Sequence, residues 1–175
     1  MTSKIPMPPR VLLVTDTSVL VNFLRIDRMD LIRDLSPKFL VTDHAAEEIS
    51  ELYAEQRARF AAALAGGCCE LCRVEGEGAL ELLGQLTETS RLGIGESATI
   101  AHALSIGAGL AIDDRRAVIE ARLISDRLVI VGTADLTVQM IREGLLSVAD
   151  ADAMKDDWAT NHRFRLKIRT FGDLI

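Results

Sequence analysis

Aromatic side chains are scarce in this sequence: one Trp, one Tyr and five Phe among 175 residues. The core must therefore be aliphatic. Cysteine is also scarce. Cys68, Cys69 and Cys72 are an odd number packed into five positions, which excludes a disulfide framework and fits a reducing cytoplasm. Their spacing is metal-like, but no second cluster completes four zinc ligands, and the histidines lie far apart in sequence. No run approaches the ~20 apolar residues of a membrane span, so no membrane is expected. Met1 to Arg10 carries charge and three of the four prolines, Pro6, Pro8 and Pro9, and reads as an N-terminal extension rather than a targeting segment. An excess of positive charge is missing as well. The formal net charge is −6, which excludes simple binding of nucleic acid by a whole-chain basic field.

Hydrophobic residues make up 49% and charged residues 26%, the composition of one ordinary globular domain with one sizeable core. The positive charge is local. From His162 to the C-terminus, Arg163, Arg165, Lys167 and Arg169 face only Asp173, and they alternate with Phe164, Leu166 and Ile168. Such a tail suits an amphipathic strand, an RNA-contacting arm or an edge that receives a partner protein, and the sequence does not choose. An acidic chain still holds phosphates where metal ions sit between its carboxylates and the substrate.

Short apolar runs alternate with longer helical patterns, which predicts an α/β domain with a mostly parallel sheet. Strands are expected at Val11–Val14, Phe39–Val41, Glu70–Val74, Leu110–Ile112 and Leu128–Val131. Helices are expected between them. One long helix should run from the caps Thr42 and Asp43 to about Leu64, and others are launched by Gly93-Ile94-Gly95 and by Gly132-Thr133. A last helix, about Val148 to Ala159, precedes the basic tail.

In a right-handed βαβ unit each strand leaves the sheet at its carboxyl edge, where the next helix starts and where open α/β sheets bind ligands. Asp16 closes the first strand, and Asp113-Asp114 follow the fourth. Glu47 and Glu48 lie early in the helix after the second strand, and Glu96 opens another helix. Four acidic sites thus converge on one rim. Like charges oppose one another there, unless a hard cation such as Mg²⁺ or Mn²⁺ takes their oxygens. Such an ion activates water for phosphodiester hydrolysis. Each acid also has a plainer reading: Asp16 as a helix cap, Glu96 as a first-turn dipole partner, and one of Glu47 and Glu48 as solvated surface. Arg115 and Arg116 beside the rim either hold a phosphate or line an exposed helix face.

These motifs resemble the PIN-domain family. The resemblance rests on Asp16-Thr17-Ser18, Glu48-Ile49, Gly93-Ile94-Gly95-Glu96, Ile112-Asp113-Asp114-Arg115-Arg116 and Val131-Gly132-Thr133, over about Val11 to Leu146. It implies a three-layer Rossmann-like fold for residues 11–146, with 147–175 as a helix and tail packed on the same domain. It implies Mg²⁺ or Mn²⁺ and cleavage of RNA by Asp16, Glu48, Glu96 and Asp114. Asp113 is a rival ligand to its neighbour, Thr17 and Ser18 support the metal shell, and Asp135 is either a further acid or a dipole partner. Glu96 departs from the Asp that many relatives carry. The resemblance also implies a toxin restrained by a small antitoxin, and a homodimer. The competing expectation is a non-catalytic PIN-like module that binds nucleic acid. An aspartyl phosphotransferase would want a second Asp two residues after the first, where Ser18 stands.

Overall fold

The computed structural model describes residues 11–175; the expected extension, 1–10, lies outside them. Five strands, β1 (Leu12–Thr15), β2 (Lys38–Thr42), β3 (Glu70–Cys72), β4 (Gly109–Ala111) and β5 (Ile130–Val131), form an all-parallel sheet in the order β3-β2-β1-β4-β5. The central strands are apolar throughout because both faces are covered. Leu13 and Ala111 point into one core, while Val14, Leu110 and Ile112 point into the other. The first core is filled from α1 (Thr17–Arg25), α2 (Met29–Asp34), α3 (Asp43–Leu52), α4 (Arg57–Ala65), α8 (Thr133–Arg142) and α9 (Val148–Asn161). The second is filled from α5 (Glu77–Thr89), α6 (Ile94–Ile106) and α7 (Arg115–Ile124). The chain is thus the expected three-layer α/β fold. Aliphatic side chains dominate both cores, but Trp158 and Phe171 are fully buried and tie α9 and the C-terminal turn to the first.

The strand order places a topological switch between β1 and β4: the chain leaves β1 toward β2 and leaves β4 toward β5. The crevice outside their carboxyl ends is where such sheets take ligands.

Three expectations need correction. The single long helix after Thr42 is two helices joined by a 3-10 turn at Ala54–Gln56. Tyr53 leaves helical geometry, at φ −122° and ψ 58°, while Arg57 donates from Nε and Nη2 to the Ser50 carbonyl. That guanidinium takes over a carbonyl the helix end leaves open, and the chain turns so that Phe60 and Ala63 reach the core. The strand expected at Leu128–Val131 shrinks to two residues. The C-terminal tail forms no strand: it is pinned by its apolar residues and ends in a 3-10 turn at Phe171–Leu174.

The cysteines lie at and beside the edge strand β3. Burial pushes the Cys69 thiol up to about 12 and the Cys72 thiol up to about 11, so both are protonated, inert thiols at neutral pH. Among the described residues no helix is long and apolar enough to cross a membrane.

Candidate active site

Asp16 stands at the end of β1, 2% exposed, with its amide donating to the Ala111 carbonyl of β4 at 2.9 Å. It caps α1, its Oδ2 accepting the Ser18 amide at 2.9 Å. Its Oδ1 is buried and has no partner. The two other buried, unpartnered polar atoms among the described residues, Ser97 Oγ and His102 Nδ1, belong to neutral-capable groups on α6. A carboxylate oxygen left without a donor is the costlier case. Burial pushes the Asp16 carboxyl above its usual range, the Ser18 and Thr17 bonds pull it back, and the charge of Asp114 adds to the rise.

The helix after β2 separates its two glutamates. Glu47 is exposed, whereas Glu48 is half-buried and accepts the Thr17 hydroxyl at 3.2 Å. Burial raises the Glu48 carboxyl and the charge of Asp16 raises it further. Gly95 makes room for it: a Cβ at that position would stand 2.5 Å from Glu48 Oε2 and 3.6 Å from the Ala45 Cα. Glu96 follows at the start of α6, its Oε2 accepting the Gly93 amide at 2.9 Å. Its carboxyl is raised first by burial, then, against the Gly93 bond, by Asp16, Asp114 and Glu48.

Asp113 and Asp114 part company after β4. Asp113 accepts Thr133 N–H at 2.8 Å, Thr133 Oγ1–H at 2.5 Å and Asn22 Nδ2–H at 3.1 Å. Its own amide donates to Ser18 Oγ at 3.1 Å. Burial raises its carboxyl against those bonds. Asp113 thereby clasps β4, α1 and α8 together. Asp114 caps α7 instead, Oδ1 accepting the Arg116 and Ala117 amides at 2.8 and 2.9 Å. Asp135 accepts the Gly132 amide at 2.8 Å and caps its own helix. Arg115 and Arg116 are exposed, Arg116 reaching the Arg91 carbonyl at 3.3 Å.

The charge of Asp16 thus reaches Glu48, Glu96 and Asp113, and that of Asp114 reaches Asp16 and Glu96, across the switch crevice. Asn22 and Thr133 belong to the same assembly; the sequence did not single out Asn22, and noted Thr133 only within the Val131-Gly132-Thr133 motif. The available signal for Asn22 was a polar residue in the middle of Val19–Leu24, a helix otherwise wholly apolar; for Thr133 it was the Gly-Thr step itself. A cavity of about 580 Å³ lies far away at the amino edge, lined by Leu12, Leu104, Gly109 and Val129 among others, and it holds none of these acids.

The fit of a metal rests on Asp16 Oδ1, a buried carboxyl oxygen with no hydrogen-bond donor to meet it. A hard cation supplies that missing partner. Against it, among the described residues no three His, Cys, Asp or Glu groups close on one point. Asp16, Glu48, Glu96 and Asp114 each spend one oxygen inside the chain, so each has one left for an ion, and that of Asp16 is the buried, unpartnered one.

The family described as PIN domain (DUF3368) matches residues 12–173, taking in α9 and most of the tail. No curated protein matches the sequence. Among solved structures, PAE2754 from Pyrobaculum aerophilum is similar at 16% identity and a TM-score of 0.53, over 83% of this chain and all of that one. VapBC-1 from nontypeable Haemophilus influenzae is similar at 20% identity and a TM-score of 0.48, over 70% of this chain and 98% of that one.

Proposed function

The chain belongs to the PIN-domain family, and on that footing we propose that it is a metal-dependent ribonuclease working at the rim of Asp16, Glu48, Glu96 and Asp114. The observation that carries this reading is the buried, unpartnered Asp16 Oδ1, beside which the charges of Asp16, Glu48 and Asp114 raise the Glu96 carboxyl. A bound Mg²⁺ or Mn²⁺ supplies charge neutralisation and water activation there. Asp16, Glu48, Glu96 and Asp114 hold it with the oxygen each has left. The Thr17 hydroxyl keeps Glu48 turned toward Asp16, and the Ser18 amide fixes which Asp16 oxygen stays free. Arg115 and Arg116, exposed at the start of α7, hold the substrate phosphate.

RNA as substrate, a small antitoxin as partner, a homodimer and a cytoplasmic setting follow from the family resemblance. The test is cleavage of an RNA panel with and without EDTA by wild type and Asp16→Asn. Chelator-sensitive cleavage that Asp16→Asn abolishes is the expected result. Undiminished cleavage in EDTA by both proteins overturns the reading. A second reading, a non-catalytic nucleic-acid-binding module, is favoured by one observation: Glu96 and Asp114 serve as helix caps. It predicts no cleavage and no heat on titration with Mg²⁺ or Mn²⁺.

A further inference from the structure

The basic tail is not used by the acidic rim, yet it is held in a defined place. Phe164, Leu166 and Ile168 pack on the first core, with Phe164 edge-on to Trp158 at 5.7 Å. Arg25 Nη1 donates to the His162 carbonyl at 3.3 Å at one end, and Lys155 Nζ to the Arg169 carbonyl at 2.8 Å at the other. With alternate residues turned inward, Arg163, Arg165, Lys167 and Arg169 all face solvent, the two-residue period of an extended chain. Arg169 pairs with Asp173 at 3.0 Å. Arg163, Arg165 and Lys167 pair with no acid among the described residues, although α9 beside them carries Asp156 and Asp157. Those acids are engaged elsewhere: Asp156 with Lys155 at 3.1 Å, and Asp157 with Asn161 at 2.6 Å and His162 at 4.0 Å.

Arg163 adds an independent observation. Its φ is +56°, the left-handed conformation that glycine takes without strain after a helix end. Here the Phe164 amide closes α9 on the Trp158 carbonyl at 3.1 Å. An exposed arginine sits where the backbone favours glycine.

Position completes the case. α1 links the two sites, with Asp16 at its start and Arg25 at its end, a rise of about 14 Å. The recess at that end is lined by Arg25, Tyr53, Gln56, Asn161, His162 and Arg163. Its acids include Glu55 in the wall and Asp157, which is held by Asn161 and His162.

We propose that Arg163, Arg165 and Lys167 form a track for the sugar-phosphate backbone of single-stranded RNA, with its Arg163 end beside Arg25, one helix length from the acidic rim. This rests on the ribonuclease reading above. Alternate residues of an extended chain stand about 7 Å apart, a step that a stretched strand can follow phosphate by phosphate, and binding grooves for single strands work in this way.

The test measures binding of a short labelled oligouridylate to the full chain in EDTA, so that it does not depend on cleavage. Wild type is compared with Arg163→Gly/Arg165→Gln/Lys167→Gln over a salt series. The triple variant should bind at least about fivefold more weakly, and its log–log salt slope should be shallower by about 2, at about 0.7 per lost phosphate contact. Arg163→Gly alone should lower the slope by about 0.7 while keeping or raising Tm, which separates lost charge from lost folding. At saturating RNA with metal, the triple variant should cleave at the wild-type rate and differ only in KM. Unchanged affinity and slope, or no binding by wild type, overturns the proposal. So does equal competition by polyglutamate at matched charge, which would mark the track as a dock for an acidic protein segment. Failure of the nuclease reading appears separately, as absence of metal-dependent cleavage with RNA binding intact.

Discussion

Asp16 and Asp113 end the neighbouring strands β1 and β4, both are raised by burial, and they lie on either side of the Ser18 side chain and amide. Their hydrogen bonding is opposite. Asp113 accepts three donors from Thr133 and Asn22, so its charge is matched within the protein. Asp16 has one well-formed bond, the Ser18 amide on Oδ2, beside weaker pulls from the Ser18 side chain and the Thr17 amide, and its Oδ1 is buried with no partner. Burial alone therefore does not distinguish a carboxylate that builds the fold from one that awaits a ligand. The count of donors does, because an unmet buried charge persists only where something outside the chain can meet it.

The strongest test of that comparison exchanges each acid for its amide. Asp16→Asn should lower cleavage by about 10²–10³-fold or more, the scale of losing one preorganised group aimed at developing charge. It should also leave the metal-free fold as stable as wild type or more so, since it removes an unpaired buried charge. Asp113→Asn should do the reverse. It should cost about 1–3 kcal/mol, because the amide keeps one acceptor oxygen and its NH2 must face either the Thr133 N–H or the Thr133 hydroxyl and Asn22, and lower Tm by several degrees, with cleavage within about tenfold of wild type. Melting curves and initial rates on the same preparations decide. Loss of cleavage in Asp113→Asn at wild-type Tm, with cleavage retained in Asp16→Asn, would break the comparison.

A smaller effect should appear with pH. Asp16, Glu48, Glu96 and Asp113 all have raised carboxyls in the folded chain, burial being the first cause of each. A raised folded value means that the folded state holds its proton more tightly. The stability linked to these groups is full below the ordinary carboxyl range, near pH 4, and is lost as pH rises through their folded values. Asp34, Asp150 and Asp152 are lowered by hydrogen bonds to Arg33, Ser147 and Thr170 and act in the opposite sense. The difference between wild type and Asp16→Asn therefore isolates the share of Asp16. In EDTA that difference should grow in favour of the variant from about pH 4 toward neutrality. Mg²⁺ or Mn²⁺ at about 100 times its Kd should stabilise wild type by about 2.7 kcal/mol and the variant by much less. A difference that is flat with pH, or equal metal stabilisation of both, removes Asp16 as the unmet charge.

Much of this was legible in the sequence because parallel strands buried on both faces read as apolar runs, and acids at their ends must fall on one edge. Asp16 and the Asp113-Asp114 pair were placed in this way, while Glu96 was placed by the Gly93-Ile94-Gly95 step that opens its helix. Glu48 could not be separated from Glu47 by periodicity, since adjacent helix positions differ only in which neighbour they meet, and that neighbour is Thr17, far away in sequence. The Asp113 clasp was hidden for the same reason: its partners Asn22 and Thr133 are 91 and 20 residues away. The break at Tyr53 depends on Arg57 reaching back to Ser50. Local propensity gives no sign of it, because Ala, Glu, Gln and Arg all favour helix there.

The gentlest test concerns Gly95, which touches the comparison only through Glu48. Its φ lies outside the left-handed range, so alanine fits the backbone and favours the helix by up to about 1 kcal/mol. The new methyl group would nevertheless stand 2.5 Å from Glu48 Oε2. The carboxylate is the far end of a flexible side chain and can move away, giving up the Thr17 hydroxyl that turns it toward Asp16. Gly95→Ala should therefore keep Tm within a few degrees of wild type while lowering cleavage about threefold to tenfold, as for the loss of a group that orients a ligand. Weaker Mg²⁺ stabilisation in the same melts would place the effect at the metal-holding rim. Wild-type cleavage in a folded Gly95→Ala protein would show that the rim works without Glu48 held at that spot, leaving Asp16 to carry the site with Glu96 and Asp114.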